Sequence, residues 1–100
     1  MPVLVALPTI MSNLDTGGGP AQFVKVTAQL QIARGGDEAA VRAKMPQIQD
    51  VFQAYLHETR PEELSGAGLY RLREAMFRQV GNVVAPVVVT DLLFVELLTQ

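Results

Sequence analysis

The chain has 100 residues, a net charge of -2 and a pI near 5.2, with 49% hydrophobic and only 18% charged side chains. That length holds one core but not two, so residues 1–100 read as a single domain, and without a cluster of Lys or Arg no nucleic-acid partner is expected. The absence of cysteine excludes a disulfide framework, a thiolate zinc site and a cysteine nucleophile. Because the charged share is below the usual value of about 25%, some apolar surface is expected to meet a partner. Val3 to Leu7 is the only apolar run near the start, far short of the roughly 18 to 20 residues that span a bilayer.

Val5 to Leu14 is rich in β-formers but contains Pro8, which cannot donate to a ladder, so it reads as an edge strand with the proline at an edge or bulge. Asp15-Thr16-Gly17-Gly18-Gly19-Pro20 then predicts a hairpin loop. From Phe23 to Ala33, Val24, Val26, Ala28, Leu30 and Ile32 alternate with Lys25, Thr27, Gln29 and Gln31, the period of a half-buried strand. Gly35-Gly36 ends it, and Asp37 offers an acceptor to cap a helix. Val41, Met45, Ile48, Phe52 and Tyr55 follow on one helical stripe, with Arg42, Gln49, Gln53 and His57 opposite. Pro46 lies inside this pattern and predicts one kinked, continuous helix.

Thr59 and Glu62 have capping-box spacing, with Pro61 between them, which predicts a short turn over Arg60 to Leu64. Ser65-Gly66 starts the next helix. Its stripe is Leu69, Leu72, Met76, Val80 and Val83, and it is expected to end near Gly81-Asn82, before Pro86. Val87 to Val89 and Leu92 to Leu98 are apolar on both faces, so the last strand is expected to be covered on both sides. The fold class is therefore α+β, ordered β-β-α-α-β: a small, mainly antiparallel sheet of about three strands, with two helices on one face and the other partly bare.

Chemistry finds little to stand on. Gly17-Gly18-Gly19 is not followed by the Gly-Lys-Ser/Thr and helix of a phosphate loop. His57 is the only histidine and falls on the polar stripe, which excludes a two-histidine metal site in one chain. Ser12 sits in a strand and Ser65 at a cap, neither in a nucleophile elbow, while Asp37-Glu38 and Glu62-Glu63 occupy first helical turns, where negative charge is favoured without catalysis. Arg71, Arg73 and Arg78 with Glu74 suit either intrahelical pairing or a protein contact. No catalytic residue, cofactor, metal or small-molecule substrate is expected.

Leu7-Pro8-Thr9-Ile10 to Asn13-Leu14 with Gly17-Gly18-Gly19, Met45-Pro46-Gln47-Ile48-Gln49-Asp50, and Leu69-Tyr70-Arg71-Leu72-Arg73-Glu74 together resemble the FliL family of flagellar basal-body proteins. Thr59 to Leu64 with Gly66, and Asp91 to Glu96 running to Gln100, resemble that family's inter-helix turn and closing strand. The resemblance implies a stomatin-type SPFH-like domain in the periplasm, tied to the bacterial inner membrane by a basic segment, a membrane helix and a linker preceding Pro2. It also implies a ring of copies around flagellar stator proteins of the MotA/MotB type, supporting torque and motility without catalysis.

The candidate interface is the strand face Lys25, Thr27, Gln29 and Gln31, and the outward helix face Tyr70, Glu74, Phe77 and Arg78. Two rival readings stay open: a cytosolic α+β homo-oligomerisation module, and a small enzyme whose site forms between subunits. The strand alternation itself is testable by denaturation. Val26→Asp buries a charge and is expected to unfold the domain, whereas Thr27→Asp is expected to cost about 1 kcal/mol or less.

Overall fold

The computed structural model describes residues 1–100. Its elements are β1 (Val3–Ala6), β2 (Ile10–Asn13), β3 (Phe23–Ile32), α1 (Glu38–Ala43), α2 (Met45–His57), α3 (Gly66–Val84) and β4 (Val89–Thr99), with short 3-10 turns at Gly35–Asp37 and Pro61–Glu63. The α+β class and the antiparallel sheet are as the sequence predicts. All pairing converges on β3: β4 lies along one side, and β1 and β2 share the other.

The expected edge strand, Val5 to Leu14, is therefore two strands in one lane. Ala6 faces Gln29 but Ile10 faces Val26, so the edge carries one more residue than β3 across that gap, a bulge at Leu7-Pro8-Thr9. Pro8 sits there, with no ladder bond to lose. The sheet thus has four strands in three lanes, against the expected three strands.

The even-numbered residues of β3 are buried to 2% exposure or less, Val26 to 1%, and join a core of 19 residues that includes Ile48, Phe52 and Leu56 of α2 and Leu72, Met76, Val80 and Val84 of α3. Across the hairpin, the Leu14 amide donates to the Gln22 carbonyl, Gly17 and Gly18 adopt positive φ, and the Asp15 carboxylate accepts the Gly17 amide. The glycines supply the left-handed backbone that the turn requires.

Several local expectations are corrected. The helical stripe from Val41 is not one kinked helix but two helices, α1 and α2, because Lys44 leaves helical geometry (φ -101°, ψ 10°) and Pro46 falls in the first turn of α2. In that turn the missing amide breaks no bond. Asp37 does not cap α1 with its side chain, since it lies in the preceding 3-10 turn and approaches Arg34 at 3.9 Å.

The capping box is shifted by one residue. Glu63 rather than Glu62 accepts the Arg60 amide at 3.0 Å, and Thr59 is buried, donating to the Tyr55 carbonyl at 2.6 Å. Ser65 precedes α3 as expected but makes no side-chain cap bond, and α3 runs on to Val84. The helices number three rather than two, because the break at Lys44 divides the first.

The largest correction concerns β4. Only Leu92 is fully buried, while Val95 and Leu98 are 58% and 46% exposed, so the strand is not covered on both faces. It lies at the sheet edge, where its one partner strand is β3. No helix is long and apolar enough to cross a membrane.

Two glycines of α3 separate packing from propensity. A Cβ on Gly68 would come within 2.8 Å of the Glu63 carbonyl oxygen, whereas one on Gly81 would meet nothing within 4 Å. Thermal denaturation is expected to show Gly68→Ala destabilised by more than about 1 kcal/mol, and Gly81→Ala stabilised by up to about 1 kcal/mol.

Candidate protein-contact surface

The face of the sheet turned away from the helices carries the odd-numbered residues of β3. Lys25, Thr27, Gln29 and Gln31 are all half-buried there, so the predicted polar strand face is one continuous row. Its flanks are mixed: Glu96 stands beside Thr27 and Asp91 beside Gln31, with large apolar side chains among them. Register places Leu4 beside Gln31, Met11 beside Lys25 on one side and Leu98 beside Lys25 on the other, with Phe23 at the end of the row. Leu4, Met11, Phe23 and Leu98 are each 42 to 56% exposed. Four large apolar side chains around an almost uncharged row make a surface that water covers poorly.

The second predicted patch lies on α3. Tyr70 and Arg78 are exposed, Glu74 is half-buried, and Phe77 packs its ring against the core margin. The two patches belong to different elements, β3 and α3. Between the first half of α3 and β4 runs an open cleft of about 530 Å³, lined by Leu69, Tyr70, Leu92, Leu93 and Phe94 with Arg73 and Asp91.

Arg73 ties the two elements together. Its guanidinium donates to the Asp91 carboxylate at 3.3 Å and to the Leu92 carbonyl at 3.2 Å, lies 3.4 Å from Glu74, and stands 5.6 Å from the centre of the Tyr70 ring. The Asp91 carboxylate also accepts the Leu92 amide at 2.8 Å. Intrahelical pairing in this arginine group is thus confined to Arg73 with its neighbour Glu74, while Arg71 and Arg78 form no ion pair. The role of Asp91 was not legible from sequence, because its spacing from Arg73 matches no local motif.

The groups considered for chemistry stand apart. Ser12 is buried in β2 and donates to the Asn13 carbonyl, His57 is exposed at the end of α2, and Ser65 precedes α3. Gly17 and Gly19 line a polar recess with Asp15, Arg60 and Glu62, beside the single 3-10 turn Pro61–Glu63, whose start already carries the carboxylates of Glu62 and Glu63. No group of three or more His, Asp or Glu side chains gathers as a metal site.

Residues 4–100 match the family described as flagellar basal body-associated protein FliL. The chain is 35% identical over 97 residues to the flagellar FliL protein of Caulobacter vibrioides strain NA1000 / CB15N, covering 96% of this chain and 47% of that protein. The protein of the same name from strain ATCC 19089 / CIP 103742 / CB 15 matches with the same figures. The chain thus spans about half the length of the curated relatives it matches.

The Arg73–Asp91 tie is partly solvated, with side chains 29% and 42% exposed. A double-mutant cycle of Arg73→Met and Asp91→Asn is expected to give a coupling of about 0.5 to 1 kcal/mol in dilute buffer, falling as salt screens the pair. A coupling indifferent to salt would contradict an ionic tie.

Proposed function

Because the chain belongs to the FliL family of flagellar basal body-associated proteins, we propose that it is a motor accessory domain whose copies form a ring around the stator and stabilise its active state. The family is one of flagellar accessory proteins and not of enzymes. In this reading the domain lies in the periplasm, held to the inner membrane by a helix preceding Pro2, and residues 1–100 act as one unit. Its partners are other copies of itself and ion-conducting stator proteins of the MotA/MotB type.

The observation that carries the reading is the one-sided sheet. A domain that works alone gains nothing from Leu4, Met11, Phe23 and Leu98 in water, whereas one that works by contact needs such a surface. The strand row Lys25, Thr27, Gln29 and Gln31 and the α3 patch Tyr70, Glu74, Phe77 and Arg78 serve as its protein-contact surfaces. The mechanism is thermodynamic. A ring that binds the conducting stator more tightly than the closed one shifts the population toward conduction by that difference in affinity. Copies placed head to tail meet through unlike patches, which closes a ring when the rotation allows.

Deleting the domain from the full-length protein is expected to lower swimming speed and torque at high load while filaments still assemble. Bead assays across a range of loads test this, and normal torque at every load would contradict it. Substituting Ser12, His57 and Ser65 together with Ala is expected to leave motility intact, which an enzymatic role would not allow.

A further inference from the structure

The sheet's two outer edges are protected unevenly. In β3 the odd residues turn their backbone groups toward β4, since Phe23 and Gln100 exchange both bonds, and the even residues turn theirs toward β1 and β2, since the Leu7 amide donates to the Ala28 carbonyl. Alternation then points the backbone groups of Leu92, Phe94, Leu97 and Thr99 out of β4, and those of Leu4 and Ala6 out of β1.

At Leu92 both outward groups are occupied, the amide by Asp91 and the carbonyl by Arg73. On β2, Gln53 of α2 donates to the Met11 carbonyl at 3.1 Å. These are side-chain covers of the kind that stop sheet edges from pairing. Phe94–Thr99 and Val3–Ala6 carry no such cover, and exposed Val95, Leu98 and Leu4 lie along them.

We propose that the open half of β4 in one copy pairs with β1 of the next, continuing the sheet across the subunit boundary. This rests on the ring reading and adds an edge contact beside the strand row and the α3 patch. The occupant is a second copy because each copy offers two different open stretches, and the two are compatible. Both strands run antiparallel to β3, so in copies of like orientation they pair in parallel. With Ala6 beside Leu98 and Leu4 beside Glu96, the side chains fall on matching faces. Val3–Ala6 is uncharged, so Glu96 meets no like charge there.

The geometry also suits closure. β1 lies opposite Gln29–Ile32 and the open half of β4 opposite Val24–Ala28, an offset of about four residues along the strand. With a rise of about 3.3 Å per residue and strands about 4.8 Å apart, a three-lane copy stepping by that offset tilts its strands by about 40°, within the range at which sheets close on themselves.

The test uses the full-length protein in a flagellated cell, where this domain's lack of cysteine leaves its background clean. Ala6→Cys with Leu98→Cys in one chain is expected to give an oxidant-dependent ladder running beyond dimer, which either single variant lacks. Adding Thr99→Pro removes an outward amide donor without a bond to β3 and is expected to cut the ladder at least tenfold. Glutaraldehyde captures the assembly independently of its geometry. Glutaraldehyde oligomers without a disulfide ladder, or a strong disulfide dimer from Leu98→Cys alone, would overturn the edge contact while the ring reading stands. The absence of oligomers by both reagents would overturn both.

Discussion

The other three strands of this domain are each hydrogen-bonded to β3, and that dependence governs the rest of the structure. β3 meets β4 along its whole length and the divided edge lane on its other side. Its even residues supply the floor on which α2 and α3 pack. A one-residue slip of β3 would turn Val24, Val26, Leu30 and Ile32 to the bare face and place Lys25, Gln29 and Gln31 in the core. Register and burial therefore enforce each other, and both remaining lanes take their position from this strand.

The same arrangement explains why the molecule is one-sided. Three helices are enough to cover one face of a three-lane sheet, and none crosses to the other. That face is kept in water by the glutamines, Lys25 and Thr27, a row polar enough to dissolve yet too weakly charged to repel a protein partner. The apolar side chains around it are the part of that face whose removal from water would gain most. The sheet edges carry the complementary restraint: the Arg73–Asp91 pair and Gln53 occupy backbone groups at particular positions. Such local covers limit which stretches pair with another chain, a finer control than charge alone provides.

Much of this was legible in the sequence, and what was not has definite physical causes. The alternation in β3 and the glycine hairpin follow from period and local backbone preference, so they read directly. The stripes of α2 and α3 read correctly too, except that Leu69 lines the cleft and Leu56 and Val84 extend them. Pro46 misled because a proline preceded by apolar periodicity looks like a kink, and only the geometry of Lys44 shows that a new helix begins there. β4 misled for a different reason: its residues are apolar on both faces, as in a buried strand, yet it forms an edge, and edge position is a property of topology. The candidate contact residues share a strand row or a helix, but the Arg73 tie joins residues 18 apart and left no sequence signal.

The central claim is the proposal that the open sheet edges of one copy pair with those of the next. The most direct measurement is residue-resolved hydrogen exchange on the full-length protein, comparing motor-containing membranes with the detergent-dispersed protein. The account predicts that the amides of Leu4, Ala6, Leu97 and Thr99 exchange at least tenfold more slowly in the membranes, while the Leu92 amide, already held by Asp91, changes little. Equal exchange at all of these positions in both preparations would contradict it.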